Sequence, residues 1–176
     1  MKHPSLLLVA IVIMPVACLA ASPYAGEQSR TIKSLSQQEV SDYLSGKGMG
    51  FAKAAELNGY PGPAHVLELA EKLGLSQTQK ASTQEIFGRM QSRVRELGAK
   101  LVEAERNLDR SFASKTISSE SLAMSVDSIG KVQSEIRTAH LQAHLEQAEI
   151  LTAAQTTMYW HLRGYAKADA AHHMKH

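Results

Sequence analysis

Leu75-Ser76-Gln77-Thr78-Gln79 and Leu151-Thr152-Ala153-Ala154-Gln155, seventy-six residues further on, are two settings of one phrase. In each, a hydroxyl accepts from the exposed N–H groups of a helix's first turn, and a Gln three residues on reaches back to the N–H of the cap itself. Each phrase therefore predicts a helix start. Leu35-Ser36-Gln37-Gln38-Glu39 is a looser third setting. With helix starts recurring along its length, the chain is predicted to be all-α.

The segment between the two phrases carries the strongest periodicity. Phe87, Met90, Val94, Leu97, Leu101, Ala104 and Leu108 recur in steps of three and four, the stripe of a helix packed lengthwise on another helix. Glu85 with Arg89 and Glu96 with Lys100 are spaced to pair on the solvated side. A helix of about 35 residues spans roughly 50 Å. Residues 114–118 read as a turn, and from 119 the stripe resumes with Leu122, Val126, Ile129, Val132, Ile136, Ala139 and Ala143. A short connection between two matched lengths predicts a long antiparallel helical hairpin.

Outward from the hairpin the elements shorten. Helices are predicted over residues 36–45, ending at Gly46, over 51–57, and over 63–73, ending at Gly74 as a left-handed cap. Tyr60-Pro61-Gly62-Pro63 is a rigid turn whose second proline suits a helix's first position. After Thr152 a last helix carries Met158, Tyr159, Leu162 and Tyr165, with lone Trp160 packing a helix junction. The predicted organisation is a signal peptide over 1–20, a leader with short helices over 21–60, a helical domain over 61–168, and a disordered His-containing tail over 169–176.

Met1-Lys2-His3 followed by a short apolar run reads as a secretory signal, too short to span a bilayer. Cleavage is expected after Ala20, which sends the protein to the periplasm; lipidation at Cys18 is the competing expectation, weakened by Pro15. Ordinary cleavage removes the one cysteine, and with it thiolate chemistry and any Cys-type zinc site. Lys and Arg number 19 against 17 Asp and Glu, and Lys2 leaves with the signal, so the mature chain is close to neutral. No basic patch interleaved with aromatics suggests nucleic acid. No phosphate loop, nucleophile elbow or spaced carboxylate pair suggests an enzyme, and no cofactor is required.

His140 and His144 lie one helical turn apart, so both imidazoles leave the same face and could share a zinc, nickel or copper ion. The competing reading is two partly buried, hydrogen-bonded histidines. His65 and Glu68 share a face at a spacing of three, and the antiparallel return could bring them near the pair as further ligands. His172, His173 and His176 in the tail could catch metal, at a cost in ordering entropy. The apolar stripes could instead hold a client protein: Met90 and Met124 are adaptable contacts, and Arg89 and Arg93 could steer acidic segments. Taken singly, such residues are more often core or solvated surface.

The secretion signal, Leu75-Ser-Gln-Thr-Gln79 opening the hairpin and Leu151-Thr-Ala-Ala-Gln155 closing it resemble the Spy/CpxP family and its relatives among the zinc-resistance-associated proteins and periplasmic heavy-metal sensors. Tyr60-Pro-Gly-Pro-Ala-His65 and Leu162-Arg-Gly164 support the resemblance, which covers roughly residues 63–165. It implies a cradle-like antiparallel homodimer in the periplasm. It also implies an ATP-independent chaperone for unfolded or misfolded envelope proteins, a repressor acting on a sensor kinase or sigma-factor regulator, or a metal-binding stress sensor. The chaperone is the leading expectation, with a zinc, nickel or copper binding sensor or resistance protein as the alternative. The near-neutral charge departs from the basic concave face typical of the chaperones.

Overall fold

A computed structural model describes residues 22–165, all of them helical or irregular, with no strand among the described residues. The expected signal peptide, Cys18 and the three tail histidines lie outside the described residues. Six α-helices follow a 3-10 turn at Glu27–Ser29: α1 (Gln37–Ser45), α2 (Lys53–Glu56), α3 (Pro63–Glu68), α4 (Gln77–Ala113), α5 (Ser119–Ile150) and α6 (Ala153–Leu162). None of the described helices is long and apolar enough to cross a membrane.

The three helix starts that the recurring phrase marks are built as capping boxes. Ser36 with Glu39, Ser76 with Gln79 and Thr152 with Gln155 each exchange side-chain bonds for the exposed first-turn N–H groups. Ser118 with Ser121 does the same at the start of α5, where the sequence marks only a turn. The two Gln side chains also bond each other. Gln79 Nε2 donates to Gln155 Oε1 at 2.8 Å and to the Ile150 carbonyl at 3.0 Å. Gln155 Nε2 donates to Gln79 Oε1 at 3.0 Å and to the Leu73 carbonyl at 3.3 Å. The two copies of the phrase thus clasp the open end of the hairpin.

Along the seam, Val94, Leu97 and Leu101 of α4 bury against Ile129 and Ile136 of α5, flanked by Tyr43, Phe51, Met90 and Leu108. A second cluster joins Val66 and Leu73 to Leu151 and Tyr159 beneath the clasp. The predicted α5 stripe fails at its outer end: Leu122 and Val126 are exposed, as is Phe112 opposite, because no described element packs on the hairpin tip. α2 and α3 are also shorter than the periodicity predicts. After Glu68 the chain continues in irregular turns to Gly74, at φ +59, where it must bend into the Ser76 cap.

The end of the segment 22–35, expected as part of a leader, lies on the hairpin. Ile32 is buried, Lys33 bonds Asp109 through its backbone N–H (3.2 Å) and its ammonium (3.1 Å), and Ser34 donates to Glu105 at 2.8 Å. α1 presses directly on α4: a Cβ at Gly98 would sit 2.1 Å from the Tyr43 carbonyl oxygen. The last carbonyl of α1, on Ser45, accepts from Gln91 (2.6 Å) and Arg95 (3.2 Å) of α4.

Gly98→Ala sets a gain in helix propensity of about 1 kcal/mol against a backbone collision. Overpacking costs about 1–3 kcal/mol, and here the obstacle is main chain, which cannot rotate away. The variant is expected to melt lower than wild type by circular dichroism. Gly130→Ala, with nothing within 4 Å of its added methyl, should melt slightly higher. An unchanged or raised melting temperature in Gly98→Ala would refute the close approach of α1.

Candidate functional site

Below the clasp, the α2 segment and the start of α3 close over one face of the hairpin and leave a cavity of about 530 Å³. His140 and His144 of α5, His65 of α3, Phe87 and Met90 of α4, and Met49, Lys53 and Glu56 from the α2 region line it. The hairpin register accounts for this. His140 and His144 follow Ile136 and precede Gln147 on the buried stripe of α5, so their side chains enter the protein rather than solvent.

His140 is almost fully buried, with its ring stacked on Phe51 at 5.8 Å between centroids. Its Nε2 is buried without a hydrogen-bond partner. Burial holds its pKa below the ordinary value of 6.5, and the neighbouring His144 adds to the effect. His144 places Nδ1 2.8 Å from the Tyr60 carbonyl oxygen. A carbonyl only accepts, so Nδ1 carries the proton and the lone pair of the neutral ring is on Nε2. That nitrogen has room because residue 62 is glycine: a Cβ there would lie 2.9 Å from His144 Nε2.

Glu56 carries no mark in the sequence. Its carboxylate is largely buried and collects donors from distant parts of the chain. Tyr159 O–H donates to Oε1 at 2.6 Å and Tyr165 O–H at 3.0 Å, while the Gly62 N–H donates to Oε2 at 3.2 Å. Arg163 Nε is 3.4 Å from Oε1 without hydrogen-bond alignment, and His144 Nδ1 is 3.8 Å from Oε2. Burial, followed by the bond to Glu56 and its charge, pushes the Tyr159 hydroxyl far above its usual range, so it stays a donor. A four-residue helix such as α2 gives no sequence signal for such a hub. The turn residues 58–63 mark the corner, but the tyrosine partners lie about a hundred positions away.

The other expected site residues are dispersed. His65 reaches the cavity wall, but its Nδ1 pairs with Glu68 at 3.1 Å on the exposed side of α3, and Glu68 does not line the cavity. Arg89 pairs with Glu85 and Glu146, and Arg93 with Glu96 and Glu135, so both are engaged in surface ion pairs. Met90 packs on the core and lines the cavity, whereas Met124 is exposed far up α5. The sixteen positions from Met124 to His140 correspond to about 24 Å along the helix axis.

Imidazole nitrogens suit zinc, nickel and copper, and the thioethers of Met49 and Met90 add softer donors to the same cavity. The orphaned His140 Nε2 and the space left at Gly62 fit an ion on the histidine pair. Among the described residues no group of three or more His, Cys, Asp and Glu side chains is placed to hold a metal, so the cavity fits an open two-histidine site rather than a closed structural one.

A capped helical hairpin clasped by its two glutamine phrases, with short helices closing a histidine-lined cavity, defines a helical protein of the Spy/CpxP-like class built on the LTxxQ phrase. The chain belongs to the heavy-metal resistance family of that class, whose model matches residues 50–158. The match begins before the stretch in which the sequence resemblance was seen, so Glu56 falls inside the family region. No curated protein and no solved structure matches the chain.

Two outcomes are expected at this site. The unfolded chain binds a proton more readily than buried His140, which faces His144 on its own helix and Lys53, Glu56 and His65 across the cavity. The stability that His140 contributes is whole above pH about 6.5 and is lost as the pH falls toward its folded-state value. Urea midpoints should therefore drop between about pH 7.5 and about pH 5, and drop less in His140→Leu; superimposable profiles would contradict this. Separately, Tyr159→Phe removes a bond to a buried carboxylate and should cost about 1.5–3 kcal/mol in urea unfolding. A loss within error of zero would mean that Glu56 does not depend on it.

Proposed function

We propose that this protein binds a transition-metal ion through His140 and His144 and acts in the heavy-metal stress response of the cell envelope, without turning over a substrate. The observation that carries this reading is the Nε2 atom of His140, buried without a partner beside His144. Leaving a buried polar atom unsatisfied costs about 1–3 kcal/mol, and an ion offsets that cost. Membership of the heavy-metal resistance family supports the same reading. The residues hold the ion as cargo or signal: His144 is oriented by the Tyr60 carbonyl and Phe51 fixes the His140 ring.

A second reading, a chaperone that holds unfolded envelope proteins, draws on a different part of the molecule. Phe112, Leu122, Met124 and Val126 are exposed toward the hairpin tip. Such a surface would hold apolar client segments weakly and without nucleotide, or would be completed by a second copy of the chain as a homodimer.

Calorimetric titration of the full chain with zinc(II) separates the two. Binding in the micromolar range that is lost in His140→Ala and in His144→Ala supports the metal function. Absence of that difference, with chelator-insensitive suppression of aggregation of a denatured test protein, would favour the chaperone.

A further inference from the structure

We infer that Glu56 is a positioning residue of the ion site, holding His144 as an Nε2 donor and tying occupancy of the cavity to the seating of α6. The inference rests on the metal reading above and assigns a role to a carboxylate that itself does not face an ion. Glu56 Oε2 lies 3.8 Å from His144 Nδ1, on the side where the Tyr60 carbonyl accepts the ring proton at 2.8 Å. The Tyr60 carbonyl takes the ring proton, and the carboxylate behind that nitrogen, too far away for a hydrogen bond of its own, favours the proton there and so leaves Nε2 as the donor. Its burial keeps water from screening that charge.

Glu56 cannot hold this position through its own helix, since a single turn is not stable alone. It is held by Tyr159 and Tyr165, whose hydroxyls converge on Oε1 at 2.6 and 3.0 Å from the far end of the chain. The order of support runs from α6 to Glu56, and from Glu56 to His144. Coupling between two equilibria is reciprocal, so if seated α6 strengthens the ion site, an ion in the site strengthens the seating of α6. Trp160 lies against Tyr165, at 4.9 Å between rings, and is placed to report that change.

The test is zinc(II) titration of the full chain, read by calorimetry and by emission of Trp160, the one tryptophan of the sequence. The wild type is expected to show a binding component absent from the His140→Ala/His144→Ala double variant, and a shift of Trp160 emission that tracks it. Glu56→Gln keeps an oxygen for the two tyrosine hydroxyls and removes the charge. It should weaken that component about 10-fold or more and uncouple Trp160 from zinc, with the far-ultraviolet circular dichroism unchanged. Tyr159→Phe/Tyr165→Phe keeps the charge and frees α6; it should weaken zinc several-fold, and it decides the matter if Glu56→Gln does not fold. Wild-type affinity and emission response in Glu56→Gln, or in the tyrosine pair when that variant must stand in, would make Glu56 a structural carboxylate and overturn the inference while leaving the metal reading intact. If the wild type and the histidine double variant titrate alike, the metal reading fails and this inference fails with it.

Discussion

The reciprocal bond between Gln79 and Gln155 is the constraint from which the rest of the structure follows. Each carboxamide oxygen serves its own helix cap, and each carboxamide nitrogen crosses to the other phrase and to a backbone carbonyl. One net hydrogen bond contributes only about 1 kcal/mol, but this set satisfies groups at the start of α4, the end of α5, the turn before α4 and the start of α6 together. It thereby sets the end of the α4–α5 register. Two helices sliding on an apolar stripe could trade one turn for the next at little cost; two caps locked to each other cannot.

The site inherits that register. With the hairpin fixed at the clasp, His140 and His144 face the corner made by residues 58–63, and the carbonyl of Tyr60 meets the His144 ring. The corner in turn is held by Glu56, whose buried charge is made tolerable by hydroxyl and N–H donors gathered from α6 and the start of α3. A lone buried carboxylate would be costly. The outcome is a composite site: histidines on a rigid rod, with their orientation set by a loop and a carboxylate secured by tyrosines of α6 and the residues just after it.

The two ends of the hairpin differ in character. The clasped end is packed on several sides and holds the cavity and the Glu56 network. The tip extends beyond its neighbours with apolar side chains open to solvent, and residues 32–34 are fastened to α4 just short of it, at Glu105 and Asp109. The two readings proposed for this chain, metal binding and client holding, therefore point to different parts of one molecule and need not exclude each other.

The helix starts and the long hairpin were legible in the sequence because caps and apolar stripes act over three or four positions, which is the range over which a helix repeats itself. His140 and His144 were legible as a pair for the same reason; His65, expected as a further ligand, lines the same cavity with its Nδ1 paired to Glu68. The sequence could not show that the two glutamines also bond each other, that α1 rests its backbone on Gly98, or that Glu56 and not Glu68 stands beside the histidines. Those partners are separated by tens of residues to more than a hundred, and no local pattern distinguishes a glutamate that will be buried by two remote tyrosines from one left in water. Local periodicity determined the elements, and long-range packing alone decided which polar side chains were shut away from solvent together.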